Sequence, residues 1–229
     1  MSDSTQEGRL TGVTGNASCA TDIDEVFADV SAWQLPTPIR RVPREPRERG
    51  TLAGVVRVSP ARLDWLQALA EGDRVFTERF GIAIEAGWAG FPEALPATLE
   101  RARRQPEDPW GSQLFFDDES LVGLGGFYGP PVDGRVEIGY AVAPSRQGRG
   151  IATAAVEILL GRAVEAGVSV VVAHTLAGVN GSTVVLGRTG FVRSSGHDDP
   201  DLGEVWRWER VLTDRGGRPV PCTTDVPHR

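Results

Sequence analysis

The segment over residues 137–153 constrains the fold of this chain more than any other part of the sequence. Its letters, EIGYAVAPSRQGRGIAT, predict a strand, a short loop rich in glycine and arginine, and the first turn of a helix. Such a junction directs several backbone N–H groups and the positive end of a helix dipole at one point, where an anion can bind. Gly148 and Gly150 let the backbone approach that anion closely because they lack a Cβ atom. Arg146 and Arg149 add guanidinium donors suited to phosphate oxygens, so the segment predicts a phosphate-bearing ligand.

Two common phosphate loops do not match this segment. The dinucleotide fingerprint G-x-G-x-x-G fails because Thr153 stands where its third glycine belongs, and the Walker loop needs a lysine, which this chain lacks altogether. Residues 147–152, QGRGIA, instead have the form Q-x-x-G-x-A. This form resembles the pyrophosphate loop of the acyl-CoA-dependent N-acetyltransferases of the GNAT superfamily, RimJ/RimL-like branch. The resemblance covers residues 51–212, because Glu137-Ile-Gly-Tyr precedes the loop and Asn180 and Gly190-Phe191 follow it in the family's order.

The resemblance implies a fold, a reaction and a set of cofactor contacts. The implied fold is α+β, with a mixed, centrally splayed β-sheet flanked by helices. The implied reaction moves an acetyl group from acetyl-CoA, as co-substrate, to an amine of a small molecule or a protein N-terminus, by direct attack in a ternary complex and with no metal. The residues expected to bind the cofactor are Ala141, Val142, Ala143, Gln147, Gly148, Arg149, Gly150, Ile151, Ala152 and Asn180.

Glu137 is the main catalytic candidate. Side chains alternate along a strand, so Glu137 shares its face with small residues at 139, 141 and 143, and we expect room for a ligand beside it. A protonated amine must lose a proton before it can attack a thioester, and a positioned carboxylate can accept that proton directly or through water. The resemblance agrees, because family members often use a glutamate near this point of the strand. The alternative is a charge pair with an arginine on the neighbouring strand.

Asn180 and Ser182 resemble the asparagine and serine that the family places beside pantetheine and the thioester sulfur. Ser182 is the second catalytic candidate, although Asn180 is one residue closer to it than is usual. Either one residue is deleted here, or Thr183 takes the place of the serine. The alternative is an Asn-Gly turn followed by a helix N-cap. The tyrosine that many relatives use to protonate the leaving thiolate is missing between residues 180 and 190, which leaves a serine hydroxyl or water for that step. A non-catalytic CoA-binding sensor or scaffold therefore stays open as the second hypothesis.

Three other side chains and one segment have candidate roles. Tyr140 is expected in the core, and His174, placed just after the central strand, either forms a structural hydrogen bond or transfers a proton. Trp88, in the sequence Ala-Gly-Trp-Ala-Gly, is the best candidate for the acceptor site because its surroundings predict a loop. The sequence His-Asp-Asp-Pro-Asp at residues 197–201 predicts an acidic loop.

Composition excludes several classes of function. The chain has 229 residues and a net charge of −7, which argues against non-specific binding to nucleic acid. Its longest near-continuous apolar run is strand-sized, so no membrane contact is expected, and the first residues lack the pattern of a signal peptide. Cys19 and Cys222 have no metal-like spacing and predict free thiols in a cytoplasmic protein. A homodimer is left open.

The chain divides into three parts. Residues 1–50 form an extension with a linker rich in proline and arginine, residues 51–212 form the acetyltransferase domain, and residues 213–229 form an irregular tail. Within the domain, Ser59-Pro60 predicts the start of the first helix, as an N-cap followed by proline at the first helical position. The predicted strands are 52–58, 114–116, 121–127, 135–143, 168–173, 191–193 and 204–211, and the predicted helices are 61–71, 73–80, 92–104, 150–166 and 181–189.

Overall fold

Eight strands and five α-helices make up the part of the chain that the structure describes. The computed structural model describes residues 55–106 and 108–213. The strands are β1 (Val56–Pro60), β2 (Ala83–Ile84), β3 (Ser112–Asp117), β4 (Ser120–Phe127), β5 (Arg135–Val142), β6 (Val170–Leu176), β7 (Val192–Asp199) and β8 (Gly203–Val211). The helices are α1 (Leu63–Glu71), α2 (Asp73–Phe80), α3 (Leu95–Arg104), α4 (Ile151–Glu165) and α5 (Gly181–Arg188), with short 3-10 turns at Pro92–Ala94 and Pro144–Arg146.

The eight strands form one mixed sheet. Seven of them follow the order β1-β3-β4-β5-β6-β8-β7, and β2 adds a short parallel pairing to β4. Along that order every pair is antiparallel except β5 with β6. A parallel pair needs a long crossover between its strands, and α4 supplies it. The α+β fold that the sequence predicts is thus confirmed, with the segment over residues 137–153 at its centre.

Helices cover both faces of the sheet because strand side chains alternate between two apolar cores. In β3, Phe115 packs into the core beneath α4 and α5, whereas Leu114 and Phe116 pack into the core beneath α1, α2 and α3. Helix α4 presents one apolar stripe to the sheet, as its buried positions recur at helical spacing. Those buried residues are Ile151, Ala155, Val156, Leu159, Leu160 and Ala163.

Arg162 fixes α4 against the first half of the sheet. Its guanidinium donates to the side-chain oxygen of Gln113 at 2.6 Å and to the backbone carbonyl of Val58 at 2.8 Å. Gln113 is fully buried, so this hydrogen bond satisfies a polar group that water cannot reach. Burial lowers the pKa of the Arg162 guanidinium from its ordinary value. The helix that follows the glycine-rich loop is therefore held in a defined position relative to β1 and β3.

The sheet opens between β5 and β6. The two strands pair only where Arg135–Glu137 lie beside Val170–Val172. Beyond that point β5 stays paired with β4 as far as Val142, and β6 stays paired with β8 as far as Leu176. We call the opening between residues 138–142 and residues 173–176 the central gap. It is the splay that the sequence analysis expects.

Most elements predicted from the sequence are confirmed. The five predicted helices occur within two residues of their expected starts and ends, apart from the first turn of the third, which is a 3-10 turn. The predicted hairpin occurs as β3 and β4, whose connection places Asp118 at a φ of 54°. Asp tolerates this left-handed conformation better than most residues, which suits the acidic turn between the strands. Predictions on residues 1–50 and on the tail from residue 214 lie outside the described residues.

Three predictions about elements were wrong. Ser59 and Pro60 belong to β1 instead of starting a helix, because β1 is an edge strand on which proline removes no needed donor. The central strand begins at Val170 and includes His174, since the N–H of Val168 still donates to the carbonyl of Ala163 in α4. Residues 197–199 extend β7 and do not form a loop.

Candidate active site at the central gap

Backbone groups of β5 line one side of the central gap. The N–H of Ala143 donates to the carbonyl of Val122 in β4 at 2.8 Å, and the N–H of Tyr128 donates to the carbonyl of Glu137. The backbone groups of every second residue from 137 to 143 therefore bond to β4. Hydrogen-bonding direction alternates along a strand, and the groups that point into the gap are therefore those of Ile138, Tyr140 and Val142. Of the predicted cofactor contacts at residues 141–143, position 142 is the one whose backbone N–H faces the gap.

The loop over residues 143–150, here called the α4 loop, lies at the end of β5. Gly148 and Gly150 adopt φ angles of 74° and 85°, in the left-handed region that favours glycine. Gly150 is the N-cap of α4, and no side chain accepts a hydrogen bond from the first turn of that helix. The side-chain amide of Gln147 donates to the carbonyl of Val142 at 3.0 Å, which ties the loop to the strand. The first N–H groups of α4, from Ile151 onwards, are thus available to an anion.

The guanidinium of Arg146 is paired with carboxylates of the protein itself. It pairs with Glu85 and, at 3.1 Å, with Asp117, while the hydroxyl of Ser145 donates to Glu85 at 2.7 Å. The pKa of Glu85 is lowered from its ordinary value, chiefly by the hydrogen bond from Arg146. Two carboxylates from elsewhere in the chain thus occupy the Arg146 guanidinium, and its contact with phosphate stays a prediction. Arg149 is exposed, and its phosphate contact stays a prediction.

Helix α5 starts on the opposite side of the gap and is fully capped. The side-chain oxygen of Asn180 accepts the N–H of Thr183 at 3.0 Å, and the hydroxyl of Thr183 interacts with the Asn180 backbone in return. The side-chain amide of Asn180 donates to the carbonyl of Leu176 at 3.1 Å. This is the N-cap arrangement that the sequence left open as an alternative. A contact between Asn180 and the cofactor stays a prediction.

Tyr140 connects the two sides of the gap. Its hydroxyl donates to the backbone carbonyl of Ser182 at 3.2 Å. Burial raises the pKa of this hydroxyl above its ordinary value, and the ring packs against the core beneath α4 and α5, as predicted. Ser182 is half-buried at the second position of α5, and its catalytic role stays a prediction.

Glu137 lies at the point where the gap begins, and it contacts His174. Oε1 of Glu137 and Nδ1 of His174 are 2.9 Å apart. Glu137 is the last residue of β5 that pairs with β6, and its register partner is Val172. His174 lies two residues beyond Val172 on β6, so the side chains of Glu137 and His174 occupy the same face of the sheet. The sequence left an arginine partner open as the alternative, and the structure supplies a histidine instead.

The room expected beside Glu137 is filled by the protein. A Cβ at Gly139 would lie 2.8 Å from the hydroxyl of Tyr128, and one at Gly90 would lie 2.2 Å from the Cβ of Ala141. The ring of Tyr128 and the backbone at Gly90 therefore cover the small-residue face of β5. Burial, together with the charge of Glu137, raises the pKa of the Tyr128 hydroxyl. No motif marks Tyr128 in the sequence, and the glycine at 139 is the one signal that something approaches closely there.

Charged side chains of β8 and a histidine of β7 surround the Glu137–His174 pair. Arg207 is the register partner of His174, and its Nε donates to Glu209 at 3.1 Å. The rings of His174 and His197 lie at right angles, with centroids 6.4 Å apart. No pattern in the sequence marks Arg207, because a strand with polar residues on both faces gives no periodic signal.

Trp88 is part of the core and does not line an acceptor site. It is 3% exposed, and its indole N–H donates to Asp73 at 3.2 Å. The prediction failed because the glycines around Trp88 permit close packing of this loop onto the sheet. The segment over residues 85–90 nevertheless runs beside the site, since Glu85 reaches Arg146 and Gly90 contacts Ala141.

A family model described as acetyltransferase (GNAT) domain matches residues 56–192, more than half of the chain. Among curated proteins, no sequence matches the chain at a significant level. Within residues 55–106 and 108–213, no helix is both long enough and apolar enough to cross a bilayer.

Solved structures share the fold at low sequence identity. A ribosomal-protein-S5-alanine acetyltransferase from Vibrio fischeri aligns with a TM-score of 0.52 at 15% identity, over 72% of this chain and 96% of that chain. An acetyltransferase from Salmonella typhimurium that modifies the N-terminal serine of ribosomal protein L7/L12 aligns with a TM-score of 0.51 at 16% identity, over 69% and 95%. Mycobacterium smegmatis RimJ in complex with CoA-disulfide aligns with a TM-score of 0.52 at 19% identity, over 69% and 82%.

Proposed function

Because this chain belongs to the GNAT acetyltransferase family, we propose that it transfers an acetyl group from acetyl-CoA to a primary amine, by direct attack within a ternary complex. The acceptor is a protein N-terminus or a small molecule. The observation that carries the proposal is the junction of the central gap with the α4 loop, where an open strand meets an uncapped helix N-terminus. The cytoplasmic location expected from the sequence is part of the same proposal.

The site has the features that acetyl-CoA requires. Its pyrophosphate would bind the first N–H groups of α4 and the loop residues 147–152, where Gly150 leaves open space above the backbone. Its pantetheine arm would lie along β5 in the central gap, with the N–H of Val142 as a donor. Fixed donors in the gap would polarise the thioester carbonyl, and this polarisation stabilises the charge that develops on the oxygen during attack.

The protein contributes to the reaction in two ways: it positions the acceptor amine beside the thioester, and it removes a proton from that amine. Holding the amine next to the thioester makes the reaction effectively unimolecular, which is the largest gain available to a direct transfer. The pair formed by Glu137 and His174 stands where the gap begins and can accept the proton that the amine must lose. Ser182, at the start of α5, stays the candidate donor to the leaving thiolate.

A panel of acceptors tests this proposal. Purified protein at catalytic concentration is mixed with acetyl-CoA and, separately, with peptides that begin with serine or alanine, free amino acids, polyamines and aminoglycosides. Release of free thiol and a mass increase of one acetyl group on an acceptor are expected. Calorimetric titration with acetyl-CoA accompanies the panel.

Two outcomes of the panel would contradict the proposal in different ways. Acetyl-CoA binding without thiol release from any acceptor would favour the non-catalytic sensor or scaffold, which the absence of a tyrosine between residues 180 and 190 keeps open. Failure to bind acetyl-CoA at millimolar concentration would contradict both functions.

A further inference from the structure

The two members of the Glu137–His174 pair differ in how much solvent reaches them. The side chain of Glu137 is 6% exposed, whereas that of His174 is 22% exposed. Glu137 is enclosed by Tyr128 over Gly139 on one side and by His174 on the other. A substrate amine that enters the site therefore meets the imidazole before it can reach the carboxylate.

The hydrogen bond between the two groups also fixes which nitrogen of the imidazole carries a proton. When the Glu137 carboxylate is ionised it can only accept hydrogen bonds, so Nδ1 of His174, 2.9 Å away, is then the protonated nitrogen. In the neutral ring Nε2 is then left with a free lone pair. That nitrogen is on the far side of the ring from the buried carboxylate.

We propose that His174 is the catalytic proton acceptor for the substrate amine, and that Glu137 is a positioning residue that holds its tautomer. This inference rests on the acetyl transfer proposed above and changes the role given to Glu137 from its sequence alone. A buried carboxylate in this position orients the imidazole ring and stabilises the positive charge that the ring carries after it accepts a proton.

The proton and electron balance of the step is complete without another reactant. Nε2 of His174 takes one proton from the ammonium group, and the freed nitrogen lone pair forms a bond to the thioester carbonyl carbon. The C–S bond breaks, its electron pair leaves with sulfur, and a second proton from the nitrogen ends on the thiolate. The imidazolium donates Nδ1–H to Glu137 until its extra proton passes to solvent, so the products are the amide, free CoA and one proton.

Charged and titratable groups from three neighbouring strands face His174. Glu137 on β5 is its hydrogen-bond partner, and Arg207 on β8 is its register partner. Glu209 on β8 accepts from Arg207 and also from Arg135 on β5, so one carboxylate pairs with both guanidinium groups. His197 on β7 lies at ring-contact distance, and Tyr128 lies beside Glu137.

Paired substitutions separate the two roles, with the serine and alanine peptides and the best acceptor of the panel as probes. His174→Asn keeps an N–H donor towards Glu137 but removes the proton acceptor, so kcat/KM should fall by about 10²–10⁴ at neutral pH. Glu137→Ala removes the carboxylate without offering an amide N–H₂ that would stabilise the other tautomer, so it should cost less than His174→Asn, about 10–100-fold. Acetyl-CoA affinity should stay within about twofold of wild type in both variants. The loss in His174→Asn should shrink at high pH, where the acceptor amine is already deprotonated.

Two further measurements keep this inference independent of folding defects and of the proposed function. Imidazole added to His174→Ala should restore part of kcat, which a purely structural histidine would not allow. Nitrogen-15 NMR of the wild-type protein should find His174 with the proton on Nδ1 when the ring is neutral. Wild-type rates in His174→Asn, or a neutral ring protonated on Nε2, would overturn the assignment. Absence of turnover by the wild-type protein would instead contradict the acetyl transfer itself.

Discussion

Some residues around the central gap form hydrogen bonds within the protein, and others leave space in which a ligand could bind. Arg146 and Asn180 both match the pattern expected of ligand contacts, yet their polar groups bond within the protein. Gly150 is different, because it leaves open space beside an uncapped helix start. Helix α5 is capped by Asn180, whereas the start of α4 lies at the glycine-rich loop without a side-chain cap, so α4 is where we expect an anion to bind.

Substitution of Gly150 tests the anion site at the scale of one residue. Gly150→Glu places a carboxylate where the pyrophosphate should bind, so CoA affinity should fall at least about tenfold, or about 1.4 kcal/mol. Isothermal titration with CoA measures it.

Gly150→Gln is the matched control for that substitution. It has the same size and the same strain at a φ of 85°, but it lacks the charge. Equal affinities in the two variants would show that negative charge at this position is of no consequence, and that the pyrophosphate binds elsewhere. The variant Gly161→Glu, on an exposed position of the same helix, should bind CoA normally.

At the scale of elements, an ion-pair network joins three separate parts of the chain. Arg146 of the α4 loop binds Glu85, which follows β2, and Asp117 at the end of β3. The hydroxyl of Ser145 adds a second bond to Glu85. The segment that follows β2 is thereby tied to the loop that is expected to hold the cofactor.

Glu85→Gln should weaken this connection in a way that depends on pH. The folded-state pKa of Glu85 lies below its ordinary value of 4.5, so its stabilising effect is present above that value and is lost as pH falls through the lowered pKa. At pH 7 the variant should melt roughly 1–3 °C below wild type, and the difference should vanish in acid, at pH values below the lowered pKa of Glu85. Thermal denaturation followed by circular dichroism across this range measures it.

The control for Glu85→Gln is Glu78→Gln. Glu78 pairs with Arg74 on the surface of α2, where both side chains are mostly exposed, so little change is expected at any pH. A difference between Glu85→Gln and wild type that persists at low pH would show that the carboxylate charge is not what stabilises the network.

The elements also show what sequence patterns could and could not predict. Helix α4, the β3–β4 hairpin and the strand–loop–helix centre were predictable, because apolar spacing and glycine positions determine them locally. The length of β7 was not, because its residues are exposed on both faces and only the pairing with β8 holds them extended. The contact between Glu137 and His174 was equally hidden, since it depends on the register of β5 against β6.

At the scale of the whole molecule, two apolar cores organise the part of the chain that the structure describes. Two apolar cores lie on opposite faces of one sheet, and their residues come from the segment that starts at Val58 and ends at Leu212. The family match begins at residue 56, at the start of β1. Each strand of this sheet has at least one hydrogen-bonded neighbour within the same segment.

Deletion of residues 1–50 should therefore leave a folded protein that binds acetyl-CoA. The reason is that, among the described residues, all members of both cores and of the central gap come after Val55. The truncated protein should elute as a single species in gel filtration, and saturating acetyl-CoA at a hundredfold excess over Kd should add about 2.7 kcal/mol to its stability, as for the full chain. Thermal melts of both proteins with and without ligand measure this. A truncated protein that aggregates, or that loses the ligand-induced shift while the full chain keeps it, would show that residues 1–50 contribute directly to the domain or to its site.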